Sequence, residues 1–559
     1  MIKQERSNLP WWKKTVVYQL YPRSFFDSNG DGIGDLKGII SKLDYLQDLG
    51  IETIWFSPFF TSPQRDFGYD VTDFKGIDPQ YGDMILCDKL IDEIHKRDMK
   101  IVLDLVLNHT SDQHPWFIES RSSRDDPKRD WYIWRDGKGK NPPNNWRSLI
   151  GGSGWHYDSK TDQWYWAQFL PFQPDLNYRN TEVKETMFDI VRFWLRKKID
   201  GFRLDIIDAI YEDSEFRNNP RSFRFIPSDT STDRFFRSSK YSLDHPDTFE
   251  FVKELRRVID EFDNPPRFLV GEVISDMDTL VKYCGKQADG LNTVFLFKTL
   301  RIHPKANKIR DLIGTFEKYL PEPYIPTWVF SNHDRIRRIT RLGNDIEKAK
   351  LHIAFQLTVR GVPYIYYGEE IGMESPKLVQ KESLDEMALK YKWIPQFVFD
   401  LIRKIGVESF NRDEQRTPMQ WNASPNAGFC LPNVSPWLPV TPSYKERNVD
   451  IEQNDPDSLL NCYKRFLKAR KETPALNSGS IEILDLKSIP KYILSYVRTS
   501  LVKGSEQKAF IFLNFGKKNA SFKNPIKDAK FLVSTHVKSN PIIEDNIVLN
   551  SQEGIVLLK

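Results

Sequence analysis

The chain has 559 residues, which at roughly 100–200 residues per domain suggests two to four structural units and ample material for a buried core. Hydrophobic residues make up 40% and charged residues 28%, ordinary globular usage that excludes a disordered or collagen-like chain. Lys+Arg of 81 against Asp+Glu of 77 leaves a net charge of only +4 with no long basic run, so no nucleic acid partner is expected.

No stretch reaches the ~18–20 apolar residues of a membrane helix, and the start MIKQERSNLPWWKK has no apolar leader core, so no membrane partner and a cytoplasmic location are expected. Cys87, Cys284, Cys430 and Cys462 are far apart without CxxC or CxxH spacing, which disfavours a disulfide framework or a zinc site. They read as small buried or surface thiols.

In chain order, eight short apolar runs read as strands: Val16–Leu20, Thr53–Ser57, Ile101–Val106, Gly201–Ile207, Phe268–Val273, Thr293–Phe297, Thr327–Ser331 and Val362–Tyr367. Between them, 36–49, 85–95, 182–197, 249–259 and 346–357 carry apolar residues at i, i+3/i+4 spacing, the pattern of helices packed on a sheet. Eight strands in a βα series predict a (β/α)8 barrel, although a doubly wound open sheet satisfies the same count. Two segments interrupt the alternation. The first, 110–174, follows the third strand and holds Trp116, Trp131, Trp134, Trp146, Trp155, Trp164 and Trp166, either a small domain's core or a stacking surface for flat ligands. The second, about 375–450, follows the eighth strand. From Thr473 the runs KYILSYVRTS, KAFIFLNFG, AKFLVSTHV and GIVLLK predict an all-β sandwich. The expected organisation is barrel 1–109, inserted domain 110–174, barrel 175–472 and C-terminal domain 473–559.

Chemistry concentrates where the apolar runs stop. The third strand ends in Asp104, Asn108 and His109, the fourth carries Arg203 and Asp205, the fifth ends at Glu272, and the seventh leads into Asn332, His333 and Asp334. Any one of these carboxylates could be a helix cap or a salt-bridge partner, but barrel enzymes assemble catalytic groups from several strand ends. Asp205, Glu272 and Asp334, with two histidines and an arginine, suit glycoside cleavage, which needs one carboxylate at the anomeric carbon and one carboxylic acid for the leaving oxygen. Arg203 lies two residues before Asp205, on the same strand face, where it can keep Asp205 ionised. Glu272 has no adjacent cation in sequence and is the expected proton donor.

The set DLVLNH, GFRLD, GE and SNHD, in this order, resembles the α-amylase family of glycoside hydrolases (family 13). VVYQLYPRSFFDSNGDGIGDLKGI, FGYDVTDF, QPDLNY and NRDEQRTPMQW narrow the resemblance to the oligo-1,6-glucosidase and α-glucosidase branch, over nearly the whole chain. The resemblance implies an α-retaining double displacement without a catalytic cofactor, with Asp205 as nucleophile, Glu272 as general acid/base and Asp334 as the third carboxylate. It also implies a closed glucose pocket of Asp66, Tyr69, His109, Arg203, His333 and Arg416, with Phe169 and Gln173 from the inserted domain. Asp66 and Arg416 are expected to pair and wall off the O4 side of the sugar.

The loop from Asp27 to Asp35 supplies oxygens at alternate positions with glycines at the bends, like the first half of an EF-hand loop, but lacks the bidentate Glu at position twelve. An Asx-rich turn without metal is the alternative. The resemblance implies a structural Ca2+ or Mg2+ on Asp27, Asn29, Asp31, Asp35 and the Ile33 carbonyl. The branch implies a small oligosaccharide as partner and a monomer or weak oligomer. It also holds sucrose isomerases, trehalose synthases and glucosyltransferases, and non-catalytic transporter subunits share its barrel. Those subunits carry a membrane anchor, which is not expected here, and Lys298–Lys305 is a poor match for the arginine-rich loop of the isomerases. Val after the nucleophile accompanies α-1,6 preference in the branch, and the bulky Ile206 leans that way, with α-1,4 open.

Overall fold

The computed structural model describes residues 9–224, 228, 230–234, 236–405, 411–502, 504–537, 542–543 and 545–559. The leader reading at 1–8 therefore falls outside the described residues. Eight parallel strands form one sheet: β1 (Val17–Leu20), β2 (Thr53–Phe56), β3 (Lys100–Leu105), β4 (Gly201–Leu204), β5 (Phe268–Gly271), β6 (Thr293–Val294), β7 (Thr327–Val329) and β8 (Val362–Tyr366). Their order, β6-β5-β4-β3-β2-β1-β8-β7, is the chain order read around a circle. The β6–β7 seam has no main-chain ladder. Instead the Thr327 hydroxyl donates to Val294 O at 2.8 Å and accepts from Leu296 N at 3.1 Å. The sheet is a barrel, not an open doubly wound sheet.

The helices outside it are α1 (Leu36–Ser41), α2 (Leu43–Leu49), α3 (Met84–His95), α4 (Thr181–Arg196), α5 (Pro246–Asp260), α6 (Met277–Cys284), α7 (Ala306–Tyr319), α8 (Ile346–Thr358) and α9 (Leu459–Glu472). Asp83, Asn180, Asp276, Asp345 and Ser458 cap five of them through side-chain oxygens on first-turn N–H groups, satisfying donors that a helix start leaves open. The single helix expected over 36–49 is broken at Lys42. The Ser41 hydroxyl bonds the Gly38 carbonyl at 2.6 Å, competing with the helical ladder, and a Cβ on Gly38 would lie 2.1 Å from the Phe26 carbonyl. The sixth strand is shorter than expected. At Phe297–Thr299 the chain turns into a 3-10 helix, held by the Thr299 hydroxyl on Leu296 O at 2.8 Å.

Strand alternation places the site. Val17, Trp55, Val102, Phe268, Val270, Val329, Val362 and Tyr364 fill the barrel interior. Tyr18, Leu20, Ile54, Phe56, Ile101, Leu103, Phe202, Leu204, Leu269 and Trp328 join the core beneath the helices. Two residues beyond Val17 and Val102, period two brings Gln19 and Asp104 to the same inner face at the C-terminal end, and β4 adds Arg203 there. Between β3 and β4 a three-stranded antiparallel sheet forms from Trp134–Arg135, Trp155–Asp158 and Gln163–Trp166. Beyond α9, a five-stranded and a three-stranded antiparallel sheet enclose a separate core of Ile493, Phe512, Phe522, Ile547 and Ile555.

Candidate active site

Arg203, 1% exposed on β4, organises the floor of the site. Its Nη1 donates to Asp104 Oδ1 and to Asp205 Oδ1, both at 2.7 Å, and its Nη2 contacts Glu272 Oε2. Glu272 has no cation next to it in sequence but meets one in space, because β5 runs parallel to β4 and brings its end against the same guanidinium. One positive charge serves three carboxylates. Burial outweighs it, with Asp104 adding repulsion, so the Asp205 carboxyl is pushed up to about 7 rather than held low. Glu272 is likewise raised by burial to about 7, with the neighbouring Asp205 and Asp334 charges adding to the rise. Two carboxyls this close titrate as a pair, so near neutrality one proton is shared between them.

Asp205 follows the last residue of β4, and Ile206 behind it adopts φ +32°. A β-branched residue in the left-handed region is strained, at a cost of order 1–3 kcal/mol. The turn ends the strand and starts the 3-10 helix Ile207–Ala209, leaving the Asp205 carboxyl at the cavity wall.

Asp334 behaves differently. His333, Arg412 and Arg416 surround it and hold its carboxyl well below the usual range, so it is ionised. Arg416 Nη2 lies 3.1 Å from its Oδ1 and His333 Nε2 3.2 Å from its Oδ2. Burial lowers His333 to about 3, which makes the imidazole neutral. Gln19 donates its amide to His333 Nδ1 at 2.8 Å, so the ring proton sits on Nε2 and faces Asp334 and the Tyr69 hydroxyl, 2.8 Å away. Tyr69 in turn donates to Asp104 Oδ2 at 3.1 Å. His109 lies between Asn108 Oδ1 at 3.0 Å and Tyr69 O at 3.2 Å, and burial lowers it to about 4.

The expected partnership of Asp66 with Arg416 is not made. Asp66 Oδ1 pairs with Arg412 Nη2 at 2.7 Å, while Arg416 turns under the cavity to Asp334 and to His333 O at 3.1 Å. Both arginines sit in NRDEQR, and the 3-10 turn Arg412–Gln415 between them aims their side chains at different partners. Arg412 also holds Asp385 at 2.7 Å, and Gln173 donates to Asp66 Oδ2 at 3.1 Å. Asp66, Tyr69, His109, Phe169, Gln173, Asp205, Glu272, His333, Asp334 and Arg412 line one cavity, while Arg203 and Arg416 support it from below.

Arg412, Asp385, Asp104 and Gln19 are the residues that sequence reasoning left without a role. NRDEQR offered two arginines without a way to choose, and Asp385 stands in a segment with no motif. The tryptophans are core: Trp146, Trp155 and Trp166 pack with Ile133 and, like the other four of that cluster, do not line the cavity.

In the Asp27 to Asp35 loop, Asp27 accepts from Asn29, Gly30 and Gly32 N–H groups at 3.0, 2.7 and 2.9 Å. Asp31 accepts from Ile33 N at 2.8 Å, and Asp35 from Ser28 and Gly38 N–H groups at 2.8 and 2.7 Å. Among the described residues no three His, Cys, Asp or Glu side chains converge as a metal cluster, and no basic side chain pairs with Asp27, Asp31 or Asp35. The donor set is all oxygen, three carboxylates with an amide and a peptide carbonyl, which is the chemistry of a hard cation.

Residues 19–479 match the alpha amylase catalytic domain. The oligo-1,6-glucosidase of Parageobacillus thermoglucosidasius is 38% identical, over 94% of this chain and 95% of its own. Among solved structures, an α-glucosyl transfer enzyme superposes with a TM-score of 0.87 at 35% identity, covering 99% of this chain and 100% of its own. An isomaltulose synthase from Klebsiella sp. LX3 does so with 0.85 at 32%, again over 99% and 100%. This chain, an enzyme, belongs to the α-amylase family of glycoside hydrolases.

Proposed function

We propose that the protein is a retaining, exo-acting α-glucosidase that releases α-glucose from the non-reducing end of short oligosaccharides. The observation that carries this is the placement of Asp205 and Glu272 on the two terminal nitrogens of one guanidinium. Two carboxyls held by one guanidinium fit the ~5–5.5 Å spacing of a retaining enzyme better than the ~6.5–9.5 Å that an inverting enzyme leaves for a water.

With one shared proton, Asp205 attacks the anomeric carbon as carboxylate while Glu272 gives its proton to the glycosidic oxygen, and the aglycone departs. Glu272, now ionised, takes a proton from water as that water attacks the glucosyl ester, which frees Asp205 and returns the proton to Glu272. Asp334 stays ionised beside Arg412 and Arg416 and holds sugar hydroxyls, with His333 and His109 as neutral hydrogen-bonding groups. The Asp66–Arg412 pair in the cavity lining supports a wall beyond the non-reducing glucose, and such a wall favours chain-end attack over internal cleavage.

Isomalto-oligosaccharides are the favoured substrates, with α-1,4 bonds as the second choice. The bulky Ile206 on the cavity wall and the oligo-1,6-glucosidase relative support this order. Transfer or isomerisation is the second reading, favoured by the likeness to a glucosyl transfer enzyme and an isomaltulose synthase. Both outcomes use the same glucosyl ester and differ in the acceptor. A Ca2+ or Mg2+ on the Asp27–Asp35 loop, a cytoplasmic setting and a monomer or weak oligomer complete the proposal. No helix of the described residues is long and apolar enough to cross a membrane. Glucose release from isomaltose, maltose, sucrose and kojibiose, followed side by side, tests the reading. Isomaltulose from sucrose with little glucose would replace hydrolysis by isomerisation.

A further inference from the structure

Outside the catalytic cavity, and sharing no lining residue with it, a second cavity of about 430 Å³ opens between the segment after β6 and the segment after β7. Arg301, Arg338, Arg341, Lys377 and Arg403 line it, against Asp400 as the one lining carboxylate among the described residues. Some of this charge is used within the fold. Arg403 holds Glu414 at 2.9 Å, Arg338 holds Glu369 at 2.5 Å and the Tyr463 hydroxyl at 2.6 Å, and Arg341 donates to Ile336 O at 3.0 Å. Two lining side chains keep unmet capacity. His352 and Arg338 are each 3% exposed, and among the described residues neither ring nitrogen of His352 nor Nη1 of Arg338 has a hydrogen-bond partner. Buried polar groups are almost always satisfied, so donors left over in the wall of a cationic cavity call for an acceptor. Burial and the Arg338 and Arg341 charges keep the His352 imidazole neutral, so it offers one N–H rather than a further cation. At the mouth, Lys377 is 61% exposed and 3.9 Å from Asp400, a weak surface pair that leaves the ammonium able to reach a ligand.

We propose that this cavity binds a phosphate group, carried as inorganic phosphate or as the phosphate ester of a sugar. A tetrahedral oxyanion supplies acceptors in several directions and a compensating charge, where a single water supplies two acceptor sites and no charge. The volume admits a hexose phosphate as readily as the bare ion. Arg338 is on the same short run as Asp334, so the site adjoins the catalytic loop without contributing to the catalytic cavity, and the proposal stands independently of the roles assigned there.

The test is isothermal titration of the full chain with sodium phosphate and, separately, with glucose 6-phosphate, each in saturating glucose to block the catalytic cavity. Saturable binding is expected for the wild type, and at least tenfold weaker binding for Arg301→Gln/Lys377→Gln, whose side chains are at the exposed mouth. His352→Leu, which keeps the rim charges, is expected to weaken binding as well. Tighter binding of the ester identifies a sugar phosphate, and equal binding identifies the phosphate group alone as what is read. No saturable heat with either probe, or binding undiminished in the double variant, overturns the proposal.

Discussion

Arg412 Nη2 lies 2.7 Å from Asp66 Oδ1, joining residues 346 positions apart in the lining of the catalytic cavity. The same guanidinium holds Asp385 through Nε at 3.0 Å and Nη2 at 2.7 Å, so both carboxylates depend on its planar fork. A lysine carries the charge but cannot serve both partners. Arg412→Lys is therefore expected to lower kcat/KM on isomaltose by roughly tenfold or more. Wild-type enzyme acting on maltoheptaose should release glucose before any internal fragment, and chromatography of the early products checks this. Internal fragments from the wild type would mean that the wall is open.

Asp205→Asn removes the carboxylate proposed to attack the anomeric carbon while keeping the side-chain shape. Turnover is expected to fall by about three orders of magnitude or more with an unchanged circular dichroism spectrum. Hydrolysis close to wild type would sink the assignment. Glu272→Gln should behave differently with substrates whose leaving group needs no protonation, such as a nitrophenyl α-glucoside, and lose less rate there than on isomaltose.

The pH profile follows from the shared proton. Glu272 is raised to about 7, so below that value it holds the proton that the leaving group needs, and as pH rises through it the proton is lost. The basic limb of kcat/KM is expected at about 7, not near the ~4.3 of an ordinary glutamate. On the acid side the second carboxyl of the pair protonates and removes the nucleophile, giving a bell. A rate that stays flat to about pH 9 would remove Glu272 from the acid's role.

If the Asp27–Asp35 loop holds a divalent cation, three carboxylates without a basic partner gain theirs from the ion, and ligand linkage stabilises the fold. Chelator is expected to lower the Tm by several degrees, with Ca2+ or Mg2+ restoring it, because the loop leads directly into α1, which Asp35 caps. A melting curve unmoved by excess chelator, with no metal by elemental analysis, would leave the loop as an Asx turn held by its own N–H groups.

Much of this was legible before the fold, for physical reasons. Period-two alternation in β1, β3 and β4 determines that Gln19, Asp104 and Arg203 share the inner face with Val17 and Val102. The stop of each apolar run marks where Asp205, Glu272 and Asp334 emerge, and short-range chemistry such as the Asx turn of Asp27 is written in neighbouring residues. Tertiary structure alone decided what depends on long-range approach. Arg412 rather than Arg416 meets Asp66 because a 3-10 turn rotates the two arginines apart, and Asp385 reaches Arg412 from a segment without periodicity. The state of Asp205 was likewise out of reach of local reading. Arg203 two residues away argues for a depressed pKa, but β5 and β3 bring Glu272 and Asp104 to the same guanidinium, and burial then outweighs one divided charge.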